Sequence, residues 1–255
     1  SDEIRKAVLH FGIFTTRDLC AINPDASHVA ERLQLSPAAT EIFARLFTMA
    51  KARVAEHDEE RANQQLDVLN AEGELIMRRP RADVHKLGLW HRALNVWVLC
   101  PSTERVLLGQ RAPNKDTDAL RWTCVCGRVP SGDLSMNAAV TRLATEFSIQ
   151  AVPDQEINLV FSMKCPRAIS TGLFAGQHDG AWIDVYVATV QKEVPLNLLR
   201  LDVRAKQAAK YASVAELQRA FTVKDEAYVM PPNEEYIKKL LYYLRKTCEA
   251  ARAGG

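Results

Sequence analysis

The chain predicts an α/β fold of the α+β kind: a mixed β-sheet sandwiched between helices, with an N-terminal helical extension. Three observations carry this expectation. From Leu66 onward, short apolar runs alternate with turn residues, the pattern of half-buried strands. A Gly-rich loop and an amphipathic helix sit in the middle of that region, at GRVPSGDLSMNAAVTRLATEFSI from position 127 to 149. Residues 1–62 show helical periodicity instead of alternation. With 255 residues and 47% hydrophobic content, the chain can bury one domain of about 150 residues and a smaller appendage. The expected division is a helical docking domain at 1–62 and a sheet-containing domain at 63–255.

Within the extension, Thr15-Thr16-Arg17-Asp18 supplies helix caps and Asn23-Pro24-Asp25 breaks the chain. Ser36-Pro37 opens a long helical stretch through Ile42, Leu46, Met49 and Val54. The segment SHVAERLQLSPAATEIFARLF has the rhythm of two short helices about a Leu-Ser-Pro corner. Acidic and basic residues nearly balance through residue 65, whereas a helix that reads DNA brings excess Lys or Arg to the phosphates. The extension therefore predicts docking to another protein.

The run LDVLNAEGELIMRRPRADVH predicts a hairpin about Ala71-Glu72-Gly73, followed by strands at 93–99 and 106–108 separated by a Pro-Ser turn. After the Gly-rich loop, a helix begins near Leu134 and Ser135, with Ser135 able to cap its free N–H groups. Ala138, Ala139, Leu143 and Phe147 then recur at helical spacing and should face the sheet. Two more strands follow at 157–164 and 182–190, around a loop containing Gly172, Gly176 and Gly180. The closing PPNEEYIKKLLYYLRKTCEA reads as an amphipathic helix with Ile237, Leu240, Leu241 and Leu244 inward and Lys238, Lys239, Arg245 and Lys246 outward.

No run of 18 apolar residues exists, and SDEIRKAVLH lacks the apolar region of a signal peptide, so neither a membrane partner nor secretion is expected. The six cysteines (Cys20, Cys100, Cys124, Cys126, Cys165 and Cys248) lack the paired C-x-x-C spacing of a zinc site. In a chain of this size they point to a reducing intracellular compartment, cytoplasm or mitochondrial matrix. A net charge of +2 neither favours nor excludes a polyanionic partner.

The central loop and helix resemble the Nudix box: Gly127, Asp133 in place of its first Glu, Leu143, Glu146 and Ile149 fall on its positions without gaps. Around it, His85, Gly88, Leu89, Trp90, His91 and Arg92, then Gln110 to Asp116, then Trp122, are similar to the branch of that superfamily holding isopentenyl-diphosphate isomerase and related diphosphate hydrolases. The resemblance covers roughly 66–242 and implies the Nudix fold. It also implies a site: Cys126 and Glu146 at catalytic positions, Arg111, Lys115 and Arg128 as phosphate binders, and Asp133, Glu146, Asp184, His85 and His91 as metal ligands in an active enzyme.

The departures from that family pattern lie where its chemistry resides. Arg142 and Thr145 replace carboxylates on the metal-binding helix, Arg128 replaces a histidine, Trp182 replaces a strand acid, and the stretch near Ala205 carries Arg204, Lys206 and Lys210 instead of a Glu. Hard divalent cations need several carboxylate oxygens at once. The expectation is thus a catalytically degenerate Nudix-fold protein, an interaction or scaffold module in a ribonucleoprotein complex, with no cofactor and a basic cleft for RNA or a nucleotide. Arg78, Arg79 and Arg81 would add to its positive charge. The alternatives are a Nudix hydrolase of nucleoside or prenyl diphosphates using Mg or Mn, and an isomerase-like enzyme. Plainer readings stand beside these: Cys126 as a small buried hydrophobe, and Arg142 with Glu146 as an ordinary i,i+4 ion pair.

Overall fold

Alternation of buried and polar positions builds the sheet outward from β3 (His91–Cys100), whose odd and even residues enter two different cores in a computed structural model of the protein. The structure describes residues 30–31, 33–113, 115, 117–166, 180–202 and 204–254. The caps expected at 15–18, the break at 23–25, His10 and His28, and the loop glycines Gly172 and Gly176 lie outside the described residues. The chain divides at Asn63/Gln64 into two compact units.

In the first unit, α1 (Pro37–Asn63) starts with proline at a position that needs no backbone donor, and Ser36 Oγ accepts from the Ala39 N–H at 3.4 Å. Its buried stripe is Ala39, Phe43 and Phe47, with the two rings 5.8 Å apart. Ile42, Leu46 and Met49, the stripe read from the sequence, are exposed. The two phenylalanines carry the larger apolar area, and their stripe runs one residue round the helix from the aliphatic one.

The second unit contains β1 (Gln65–Leu69), β2 (Leu75–Pro80), α2 (Arg81–Lys86), β3, β4 (Arg105–Arg111), β5 (Trp122–Thr123), β6 (Val125–Arg128), α3 (Ser135–Phe147), β7 (Ile157–Cys165), β8 (Ala181–Thr189), β9 (Lys206–Ser213), α4 (Val214–Val223) and α5 (Glu234–Gly254). The expected hairpin is β1–β2, closed by Asn70, whose Oδ1 accepts from the N–H groups of Glu72 and Glu74. Among the described residues the nine strands form one mixed sheet. β3 pairs in parallel with β8 along nearly its whole length, and β8 pairs antiparallel with β7. On its other edge β3 meets β6 through 93–96 and β4 through 98–100, while β4 carries β9 on its far side.

β3 and β4 therefore diverge, and the single extended run 122–128 fills the opening. It pairs with β4 at Trp122 and Thr123, crosses at Cys124, and continues antiparallel to β3 from Val125. The candidate site is built around that crossing.

Helix α3 covers one face, burying Ala138, Ala139, Leu143 and Phe147 against Leu94, Val96 and Val98. Ser135 does not cap it; its Oγ accepts instead from the Tyr186 hydroxyl at 2.9 Å, and the Leu134 N–H is taken by Asp133 Oδ1 at 2.8 Å. Ser148 ends the helix in the left-handed conformation. On the other face lie α4 and α5, which bury Leu217, Phe221, Leu240 and Leu244 against Trp97, Leu99 and Val187. Tyr236 is fully buried there, and its hydroxyl accepts from Asn95 Nδ2 at 2.8 Å and Trp97 Nε1 at 3.0 Å.

Two substitutions check this packing by urea denaturation. Leu143→Ala, with no exposed surface in the parent, should cost about 3 kcal/mol through its cavity. Tyr236→Phe removes one hydroxyl but strands the buried donor Trp97 Nε1 and the half-buried Asn95 Nδ2, so about 1–3 kcal/mol is expected, well above the cost of the lost atom alone. A Tyr236→Phe variant as stable as the parent would show that hydroxyl to be idle.

Candidate functional site

Strand 122–128 presents its side chains to opposite faces: Val125 enters the core under α3, and Cys124 and Cys126 enter the core under α5. At the crossing, the Cys124 carbonyl accepts from Lys206 Nζ at 2.9 Å. Lys206, the first residue of β9, is 2% exposed and also lies 3.6 Å from Glu146 Oε2. Arg142, one turn before Glu146 on α3, approaches Glu146 Oε1 at 3.6 Å, and its Nη2 donates to the Arg128 carbonyl at 3.2 Å. One buried carboxylate thus receives two cations.

Arg111, the last residue of β4, completes the cluster from the other side. Its Nε and Nη2 donate to the Thr117 carbonyl at 3.1 and 2.9 Å, and its Nη1 points to Cys126 Sγ at 3.6 Å. Burial pushes the Cys126 thiol up, but Lys206, Arg111 and Arg142 outweigh it, with Glu146 opposing them, so the thiol titrates below its ordinary value. Cys124, two residues earlier, is driven upward by its burial and then by Cys126. Cys126 is half-buried, whereas the other described cysteines are buried.

The residues expected to bind metal are dispersed. Glu146 is enclosed by Arg142 and Lys206. Asp184, in register with Leu94 and so on the α3 side of β8, is held by Arg92 Nη1 at 3.0 Å and by the Ser162 hydroxyl at 2.6 Å. Asp133 is exposed and accepts from the Leu134 N–H. His85 and His91 do meet, with ring centroids 5.5 Å apart, and His91 Nδ1 lies 3.1 Å from the Leu89 carbonyl. His91 is four residues from Asn95, the partner of Cys126, or roughly 13 Å along β3. Among the described residues no three His, Cys, Asp or Glu side chains gather where they could hold a metal ion. Glu146 Oε2 is buried and accepts no hydrogen bond from the described residues, but it and Asp184 face cations and the remaining carboxylates lie elsewhere, so this donor set does not fit Mg²⁺ or Mn²⁺.

Among the expected phosphate binders, Arg111 contacts Cys126 and Arg128 ends β6 two residues beyond it, while Lys115 lies in the loop after β4, with its N–H donating to the Ala112 carbonyl at 3.2 Å. Trp182 stands beside Gly73 and, with Trp90, brackets Lys164 Nζ at 5.8 and 4.7 Å, which makes it a packing residue in this structure. Lys206 was not picked out as a site residue by the sequence, although the stretch near Ala205, where the resemblance implies a Glu, carries Arg204, Lys206 and Lys210; the signal was an excess of cations in that stretch.

A mixed sheet with α3 on one face and α4 and α5 on the other, and a Gly-rich loop leading into α3, is the architecture of a Nudix domain. The chain is 32% identical over 176 residues to an isopentenyl-diphosphate Delta-isomerase of Nocardia farcinica, covering 95% of that protein and 64% of this one. It is 31% identical over 192 residues to Nudix hydrolase 3 of Arabidopsis thaliana, covering 74% of this chain but only 24% of that protein's length. A crystal structure of DR0079 from Deinococcus radiodurans shares the fold, with a TM-score of 0.51 over 72% of this chain and 99% of that one at 15% identity. No family model matches the chain. The protein belongs to the Nudix superfamily.

Two measurements test the electrostatics of the cluster. Iodoacetamide should modify Cys126 with a half-maximal rate at a pH below the ordinary thiol value of about 8.5, because cations stabilise the thiolate. The same folded-state shift means that ionisation of Cys126 adds stability as pH rises through its lowered pKa, and the gain is lost as pH falls below it. Lys206→Met should move the alkylation midpoint upward and cost roughly 3–5 kcal/mol in urea denaturation, the cost of breaking a buried ion pair.

Proposed function

We propose that this protein is a Nudix-fold module that has lost metal-dependent turnover and uses its basic cleft to bind a diphosphate-like anionic group, from a nucleotide or an RNA. In this reading its N-terminal helices dock a protein partner, and the whole acts as a scaffold component of a ribonucleoprotein assembly. The supporting observation is the enclosure of Glu146 by Arg142 and Lys206, which puts cations where a family hydrolase needs carboxylates. Guanidinium groups recognise phosphate oxygens directly and need no metal to do so. The exposed Ile42, Leu46 and Met49 of α1 give the first unit an apolar face suited to a protein partner.

A second reading is an active diphosphate enzyme, either a hydrolase with Mg or Mn or an isomerase-like protein. Its support is the similarity over nearly the full length of the Nocardia isomerase, together with the depressed thiol of Cys126 beside Arg111. Under this reading Cys126 would exchange a proton with the substrate and Arg111 would hold its thiolate.

A phosphate-release screen over nucleoside and prenyl diphosphates with Mg²⁺ and Mn²⁺ separates the two, with an isotope-exchange assay on isopentenyl diphosphate covering the isomerase arm. No turnover is expected. The charge reversal Arg142→Glu/Thr145→Glu should create a carboxylate cluster that lowers stability without metal and regains about 1–3 kcal/mol when millimolar Mg²⁺ is added, since a ligand bound by the native state alone stabilises it. A parent protein that releases phosphate, or already melts higher with Mg²⁺, would promote the enzyme reading.

A further inference from the structure

The mismatch between Glu146 and a divalent metal extends beyond α3, because two glycines are shaped around the two cations. A Cβ on Gly109 of β4 would lie 2.5 Å from Lys206 Cδ and 2.9 Å from its Cε, and a Cβ on Gly127 of β6 would fall inside the Arg142 guanidinium. Neither glycine has a positive φ, so backbone freedom does not call for glycine at either place. The requirement is space. Gly109 alternates with Leu107 toward the α3 side, and the Lys206 stem crosses over it to reach Cys124 and Glu146. Gly127 pairs with Leu94 on the same side, and the Arg142 guanidinium rests on it.

We infer that Lys206 and Arg142, seated over Gly109 and Gly127 and joined through Glu146, are the resident charge centre of this site, and that its anionic ligand binds in the metal-free form. This rests on the reading that the cleft takes a diphosphate-like group, and it adds that divalent cations compete for that group instead of assisting its binding.

Both oxygens of Glu146 face cations at 3.6 Å. Mg²⁺ requires a carboxylate oxygen at about 2.0–2.1 Å, so it would have to draw Glu146 away from Lys206 and stand beside two like charges. Lys206 has only 2% of its surface exposed and cannot leave for solvent without stranding the Cys124 carbonyl. The two cations and one carboxylate sum to +1, and Arg111 adds a positive charge that a Cys126 thiolate would offset. Such a field attracts a free diphosphate more strongly than its magnesium complex, which carries two fewer negative charges. Lys206 acts as a positioning residue; Arg142 and Arg111, which are partly exposed, can reach the ligand.

The test uses inorganic pyrophosphate and ADP as probes, titrated calorimetrically into the full chain in EDTA and again in excess Mg²⁺, with Mn²⁺ binding followed separately by electron paramagnetic resonance. Binding is expected in EDTA and should weaken with Mg²⁺ as the free anion is depleted, the affinity being constant when expressed per free anion. No Mn²⁺ should be held stoichiometrically. Lys206→Met, checked by its melting curve to be folded, should bind pyrophosphate several-fold more weakly in EDTA, with Mg²⁺ lowering its apparent affinity by the same factor as in the parent because the free anion is depleted in solution. Gly109→Ala should act in the same direction by displacing the lysine. Tighter anion binding with Mg²⁺, or bound Mn²⁺ that Glu146→Gln abolishes, would overturn the inference while leaving the anion-binding function intact. A parent that binds neither probe in either buffer would overturn the anion-binding function itself, and the inference with it.

Discussion

A main-chain carbonyl at the point where a strand leaves one neighbour for another has lost its place in a ladder, and Cys124 occupies such a point between β4 and β3. Burying that oxygen without a donor would be costly. Lys206 Nζ supplies the donor, and an ammonium brought this deep needs a counter-charge, which Glu146 provides from α3. One buried hydrogen bond thus ties β9 to the 122–128 crossing, and one ion pair ties that crossing to the helix. The divergence of the sheet and the character of the site have the same cause.

From this follows the behaviour of the residues around it. Arg142 sits over Gly127 and shares Glu146, Arg111 reaches across to Cys126, and the thiol is left half-buried among cations that hold it toward its ionised form. Carboxylates elsewhere in the region are satisfied locally: Asp184 by Arg92 and Ser162, Asp133 by a backbone N–H. In a metal-dependent Nudix site acidic side chains repel one another until an ion joins them. In this chain Glu146 and Asp184 already face cations, and Asp133 accepts a backbone N–H at the surface.

How much could be read from the sequence differs between elements for physical reasons. Helix α3 was legible because Ala138, Ala139, Leu143 and Phe147 repeat at the helical period and face an apolar sheet; its cap was not, because Ser135 is drawn to the Tyr186 hydroxyl, a contact made across the fold. In α1 the period was legible but the phase was not, since Ile42 and Phe43 are equally apolar in a list and only packing selects the phenylalanines. The pairing of Arg142 with Glu146 could be anticipated because it lies four residues apart on one helix. Lys206 meets the same carboxylate from sixty residues away, and no local spacing reports such a contact.

By itself the sequence determined the alternation that makes the strands, the loop and helix of the Nudix box, and the departures from its carboxylates at Arg142, Thr145 and Trp182, because these are properties of residue type and short spacing. The tertiary structure alone decided that Arg142 and Lys206 converge on one carboxylate, that Gly109 and Gly127 are the space they occupy, and that Cys126 lies within their field. The reason is the crossing at Cys124: it brings β4, β6, β9 and α3 to one point, and which side chains meet there depends on register between strands far apart in the chain.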